Sequence, residues 1–117
     1  MIIEEKNQGK KINYLVSDTT INFDSTLSIN LSRYQKDIEN VVDICLDNDM
    51  QLTTGLGKWY AASIILPPKE YTEIDTGKED SDGHEIYNKI LNPLDMEKVK
   101  LVLWALPYGY ELQGGNN

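Results

Sequence analysis

Apolar and polar residues alternate along most of this chain, and a period of two is the signature of half-buried strands. Ile12, Tyr14 and Val16 alternate with Asn13, Leu15 and Ser17. Asp18-Thr19-Thr20 supplies a turn, and Ile21 and Phe23 resume the pattern. Leu27, Ile29 and Leu31 then face one way and Ser28, Asn30 and Ser32 the other, as in an antiparallel strand with one wet face. Only Ser32–Val42 has helical spacing. There Ser32 and Gln35 match a capping box, and Tyr34, Ile38 and Val41 or Val42 share one helical face. Strand alternation returns with Val42, Ile44 and Leu46 against Asp43, Cys45 and Asp47. Asp47-Asn48-Asp49 turns the chain into a returning arm, Gln51–Thr54.

Past Gly55-Leu56-Gly57, Lys58–Leu66 is apolar on both faces, which predicts a central strand. Pro67-Pro68 breaks the ladder because neither residue has a backbone N–H to donate. Tyr71 and Ile74 lead into a charged hairpin with Ile86–Ile90 as its second arm. Asn92-Pro93-Leu94-Asp95 turns the chain, Asp95–Lys98 predicts one helical turn, and Val99–Leu106 is a last two-faced strand. The pattern predicts a mainly β fold, an antiparallel sandwich or small barrel with at most one short helix. Its expected core is Ile29, Leu31, Ile44, Leu46, Trp59, Ile64, Leu66, Leu101, Leu103 and Trp104.

Length changes this picture little: 117 residues make one domain, 1–117, large enough for a core without metal or disulfide staples. Residues 112–117 read as a flexible polar tail. Charge changes it more. The net charge is −8, and Glu70–Glu85 holds seven acids against Lys78 alone, so residues 75–85 form a protruding acidic hairpin. Such a field repels phosphate backbones and attracts basic proteins, so the expected partner is a basic or nucleic-acid-binding protein rather than nucleic acid itself. The single Cys45 allows no internal disulfide, which suits a reducing cytosol. The longest apolar block, Leu101–Pro107, is far shorter than the roughly 20 residues a membrane helix needs.

Candidate chemistry is sparse. His84 beside Ser81 and several Asp has the residue types of an acyl-transfer triad, but a hairpin tip offers neither a buried base nor an oxyanion hole. Asp80-x-Asp82-Gly83 resembles the middle of an EF-hand loop. Setting Gly83 at the glycine position puts Lys78 and Lys89 where the end carboxylates belong, so an Asp-Gly turn is the better reading and no metal or cofactor is expected. Asp43, Asp47 and Asp49 form a second acidic group; paired carboxylates hydrolyse glycosides, but a solvated strand face explains these residues better. Gly55-x-Gly57-Lys58 lacks the upstream Gly and the Ser/Thr of a phosphate loop, and Cys45 sits among acids that disfavour its thiolate.

In layout, ILPPKEY (Ile65–Tyr71), the charged hairpin and NPLDMEKVKLVLWAL (Asn92–Leu106) resemble small proteins encoded by tailed phages and prophages. The resemblance implies a virion-assembly or accessory protein, or a small inhibitor of a bacterial defence system such as an anti-CRISPR, located in the bacterial cytoplasm or the virion. The expectation is therefore a non-enzymatic protein-binding module. Its contacts would come from Asp43, Asp47, Asp49, Glu73, Asp75, Glu79, Asp80, Asp82 and Glu85, with Asp37 and Glu39 adding charge and Tyr108 and Tyr110 either forming an aromatic patch or packing over the end of the core. The alternatives are a virion or tail-assembly subunit joined, or self-associated, through strand edges, a small Asp/Glu hydrolase, and a cation-dependent ligand-binding β-domain.

Overall fold

The computed structural model describes residues 1–112 and contains ten strands. These are β1 (Ile2–Glu5), β2 (Tyr14–Ser17), β3 (Thr20–Phe23), β4 (Leu27–Asn30), β5 (Asn40–Leu46), β6 (Leu52–Thr54), β7 (Trp59–Leu66), β8 (Tyr71–Glu79), β9 (Glu85–Leu91) and β10 (Lys100–Leu103). They form three sheets: β1-β10-β7-β5-β6, β2-β3-β4 and the two-stranded ribbon β8-β9. The mainly β reading holds. The strand orders are open rather than closed, so the fold is not a barrel.

The larger two sheets share one core. Ile21 and Phe23 of β3 and Ile29 of β4 pack with Val42 and Ile44 of β5, Ala62, Ile64 and Leu66 of β7, and Leu101 and Leu103 of β10. Alternation explains the layering, since every second residue of β5, β7 and β10 faces this core. A bulge between Ile44 and Cys45 lets the β5–β7 pairing continue to Leu46 and Trp59.

Several expectations change here. Trp59 and Trp104 are only half-buried. Trp104 instead stacks on Tyr60 at 5.2 Å between ring centroids, and Lys6 lies 5.9 Å from its ring on the sheet's outer face. Strand parity accounts for this: Leu101 and Leu103 point inward, so their even-numbered neighbours point out. The last strand stops at Leu103 rather than Leu106, because Leu106 donates its N–H to the Lys10 carbonyl instead. β1 was not expected from the pattern, and it pairs with β10 in parallel, not antiparallel. Its sequence, IIEE, does not alternate, and all four residues are exposed.

Ser32–Val42 forms no α-helix. A 3-10 turn, Leu31–Arg33, is capped by Asn30, whose side chain accepts from the Ser32 N–H and hydroxyl. Gln35 is not a capping residue but a buried brace: its side-chain amide donates to the Pro67 and Pro68 carbonyls. The turn before β10 forms as expected, over Met96–Lys98 with Asp95 as its cap. Ile12 is buried just ahead of β2 rather than within it. Of the expected tail, Leu112 packs partly buried against the core, and residues 113–117 lie outside the described residues. Among the described residues, no helix is long and apolar enough to cross a membrane.

Candidate functional site

The ribbon β8-β9 dominates the outline of the molecule. The principal extents are 67 × 24 × 22 Å, and the radius of gyration is 19.0 Å. A compact chain of this length has a radius of gyration of about 13 Å. Tyr71 pairs with Leu91 at the base and Glu79 with Glu85 near the tip, so the arm is longer than the 75–85 hairpin expected. Apart from half-buried Thr76, every residue of both strands is exposed.

The base is fixed to the body. The Lys69 N–H donates to the Lys36 carbonyl at 2.7 Å, and the Tyr71 hydroxyl donates to Asp37 at 2.6 Å. Lys98 pairs with Glu70 at 2.8 Å. Asp37 is therefore occupied at the base, and its hydrogen bond, with lesser contributions from desolvation and its charge, raises the Tyr71 pKa. Glu70 likewise raises that of Lys98, through the hydrogen bond first and its charge second.

Register decides what the arm presents. Rows Tyr71–Leu91, Glu73–Lys89, Asp75–Tyr87 and Glu79–Glu85 alternate with rows Thr72–Ile90, Ile74–Asn88 and Lys78–Ile86. Opposed residues share a face and successive residues do not. Every odd-numbered strand residue thus lies on one face, giving Glu73, Asp75, Glu79 and Glu85 against Lys89, with Tyr71 and Tyr87 among them. Lys89 over the Tyr71 ring at 6.0 Å and the Tyr87 hydroxyl bonded to Glu85 match that assignment. The Tyr87 pKa is raised, chiefly by that bond, then by desolvation and the charge of Glu73. The other face carries Ile74, Ile86 and Ile90, with Lys78 its only charge.

A bulge at Thr76-Gly77 adds two residues, so the phase of alternation survives to Glu79. Gly77 takes φ +73°, which a side chain would disfavour. Its N–H donates to Asp75 at 2.8 Å, and the Thr76 hydroxyl donates to the Ile86 carbonyl at 2.7 Å.

The structure brings together some of the expected contact residues and separates others. Glu73, Asp75, Glu79 and Glu85 share the acidic face, with Asp80 and Asp82 at its tip. Asp80 chiefly builds the turn, accepting from the Asp82 and His84 N–H groups at 2.9 Å each. His84 lies 3.5 Å from Asp80 with its side chain 79% exposed, a setting unlike that of a catalytic base. Asp80, Asp82 and His84 lie close enough to hold a cation, and all are exposed.

Asp43, Asp47 and Asp49 do not form one patch with the ribbon. Asp43 accepts from Ser63 at 2.9 Å on the outer sheet face. Asp47 shapes the β5–β6 turn, accepting from the Asp49 and Gln51 N–H groups, which leaves Asp49 exposed there. Glu39 is exposed just ahead of β5. Tyr108 is fully exposed, whereas Tyr110 is half-buried. The Tyr110 hydroxyl donates to buried Asp24 at 2.6 Å, so the two tyrosines do not form one patch. Burial first, then this bond and the charge of Asp24, push the Tyr110 phenol well above its usual value. Cys45 is buried, and its thiol is shifted upward, chiefly by desolvation.

Sequence reasoning passed over Tyr71 and Tyr87 as contact residues and did not separate the two faces of the arm. The signal was present in the common odd numbering of Tyr71, Glu73, Asp75, Glu79, Glu85 and Tyr87. No protein family, curated protein or solved structure matches the chain.

Proposed function

We propose that this protein is a non-enzymatic binding module that presents the acidic face of its ribbon to a basic protein. The alignment of Glu73, Asp75, Glu79 and Glu85 with two tyrosines, on an arm held clear of the body, carries this reading. Carboxylates at two-residue intervals recur about every 6.6 Å along a strand, a charged line suited to a basic channel. Tyrosine adds apolar contact at small entropic cost. An inhibitor that occupies the nucleic-acid channel of a defence protein uses this chemistry, in keeping with the phage-like layout of the second half of the chain.

Free strand edges support a second reading, a virion or tail-assembly subunit. β1 and β6 end the larger sheet, and β2 and β4 end the smaller one. Salt separates the two readings. Capture of a partner from bacterial lysate through the acidic face fades between about 50 and 500 mM salt, as the Debye length falls from about 14 to 4 Å. Capture through an apolar edge persists. The combined substitutions Glu73→Gln, Asp75→Asn, Glu79→Gln and Glu85→Gln abolish low-salt capture if the acidic face is the contact. Undiminished capture by that variant refutes the reading.

A further inference from the structure

The second face of the ribbon is a separate surface. Ile74, Ile86 and Ile90 are 47, 39 and 49% exposed, so the described residues leave this face open. An isolated two-stranded hairpin is marginal in water, so this face calls for cover.

We propose that its cover is the same face of a second copy of the chain, packed with the two ribbons antiparallel about a two-fold axis. Charge selects this occupant. Two copies of a chain of net charge −8 repel wherever their acids meet. On this face the only charge is Lys78, and the four strand carboxylates of the acidic face point away from the contact on both copies.

Register supplies the symmetry. The rows of this face are Thr72–Ile90, Ile74–Asn88 and Lys78–Ile86, with Ile74–Asn88 in the middle. A two-fold axis through that row, in the plane of the contact and across the strands, keeps β8 over β8 and β9 over β9. It sets Ile74 on the second copy's Ile74, Asn88 on its Asn88, Ile86 on its Ile90 and Lys78 on its Thr72. The patch is therefore self-complementary, as an isologous interface requires. Seven-residue strands span about 23 Å, so the contact falls at the small end of protein interfaces and the dimer is weak. Both acidic faces stay free, so this contact neither needs nor blocks a basic partner.

Sedimentation of the full chain from about 10 µM to about 1 mM tests it, a range suited to so small an interface. The sedimentation coefficient should rise with concentration. Ile74→Asp should weaken association about tenfold or more, because it places a charge in the contact. Glu73→Gln, one residue away on the opposite face, should not. A covalent readout guards against loss of ribbon structure in the Asp variant. With a short bismaleimide, which spans the roughly 10 Å between packed sheets, Ile74→Cys should form a cross-linked dimer and Glu73→Cys should not, while buried Cys45 gives little background. A chain that stays monomeric throughout overturns the proposal, as do equal cross-linking by both cysteine variants and unchanged association of Ile74→Asp.

Discussion

The body and the arm are built from the same material, alternating strands, yet they use it in opposite ways. In the body, each strand of the inner layer gives its apolar residues to a shared core, and Ile21, Phe23, Leu31, Ile44, Ile64, Leu66 and Leu101 have no exposure. In the arm, the isoleucines line up on one face and remain about half exposed. Burial is what turns alternation into stability, at roughly 25 cal/mol per Å² of apolar area removed from water. The arm removes little, so the body holds the fold while the arm holds contact surface. Its anchors confirm the division: Gln35, Asp37, Lys36 and Lys98 all act at the base, within reach of the body.

The sharpest break in this comparison comes from the same chemical change made in each region. Leu103→Asp, in the core strand β10, should prevent folding, because burying an unpaired carboxylate costs about 4–5 kcal/mol or more, close to a domain's whole stability. Ile86→Asp, in the arm, should shift the melt of the dilute chain by about 0.5 kcal/mol or less. Thermal melts followed by tyrosine and tryptophan fluorescence check both, and a near-parental melt of the Leu103 variant would show that β10 is misplaced.

Gly57→Ala comes next. An added Cβ would lie 2.8 Å from both the Cys45 Cβ and the Leu46 carbonyl oxygen, so the loop could no longer close on β5. Overpacking of this kind costs about 1–3 kcal/mol, which a urea titration would read.

Tyr110→Phe has a comparable effect with a pH signature. Loss of the bond to Asp24 should cost about 1–3 kcal/mol at neutral pH. The folded phenol has a raised pKa, whereas the unfolded one titrates at about 10. The contribution of the group is therefore whole below pH 10 and is lost as pH rises above it. Urea titrations from about pH 8 to 11 should show the parent losing stability faster than the Phe variant at the alkaline end; parallel curves would remove the role assigned to the bond.

The smallest change expected in stability is the largest change made to the chain. Replacing residues 73–89 by an Asn-Gly turn, which suits a two-residue hairpin, leaves Tyr71 and the base anchors in place. The melt of the body should stay within about 0.5 kcal/mol of the parent, while low-salt capture of a basic partner is lost.

The sequence disclosed these regions unevenly, for physical reasons. Strong alternation with one buried face marked β3, β4 and β5, because burial enforces period two. Leu101 and Leu103 were equally legible, but two-faced apolar strands do not reveal which face meets the core, and so Trp59 and Trp104 were assigned inward. β1 could not be read, since Ile2-Ile3-Glu4-Glu5 does not alternate and its pairing with Lys100–Leu103 joins opposite ends of the chain. The acidic arm was legible as charge, but its two-faced character depends on the Asp75/Tyr87 register and the Thr76-Gly77 bulge. For Tyr110 the sequence left core packing and an aromatic patch both open, because its partner, Asp24, lies 86 residues away.

Amide hydrogen exchange on the dilute full chain tests the division between body and arm most directly, since it reads local stability strand by strand. Amides of β5, β7 and β10 should share the slowest rates, set by global unfolding. Those of β8 and β9 beyond the Tyr71–Leu91 row should exchange orders of magnitude faster. Protection of the arm equal to that of β7 would contradict the account, because the arm would then be part of the stable core and not a surface held out for contact.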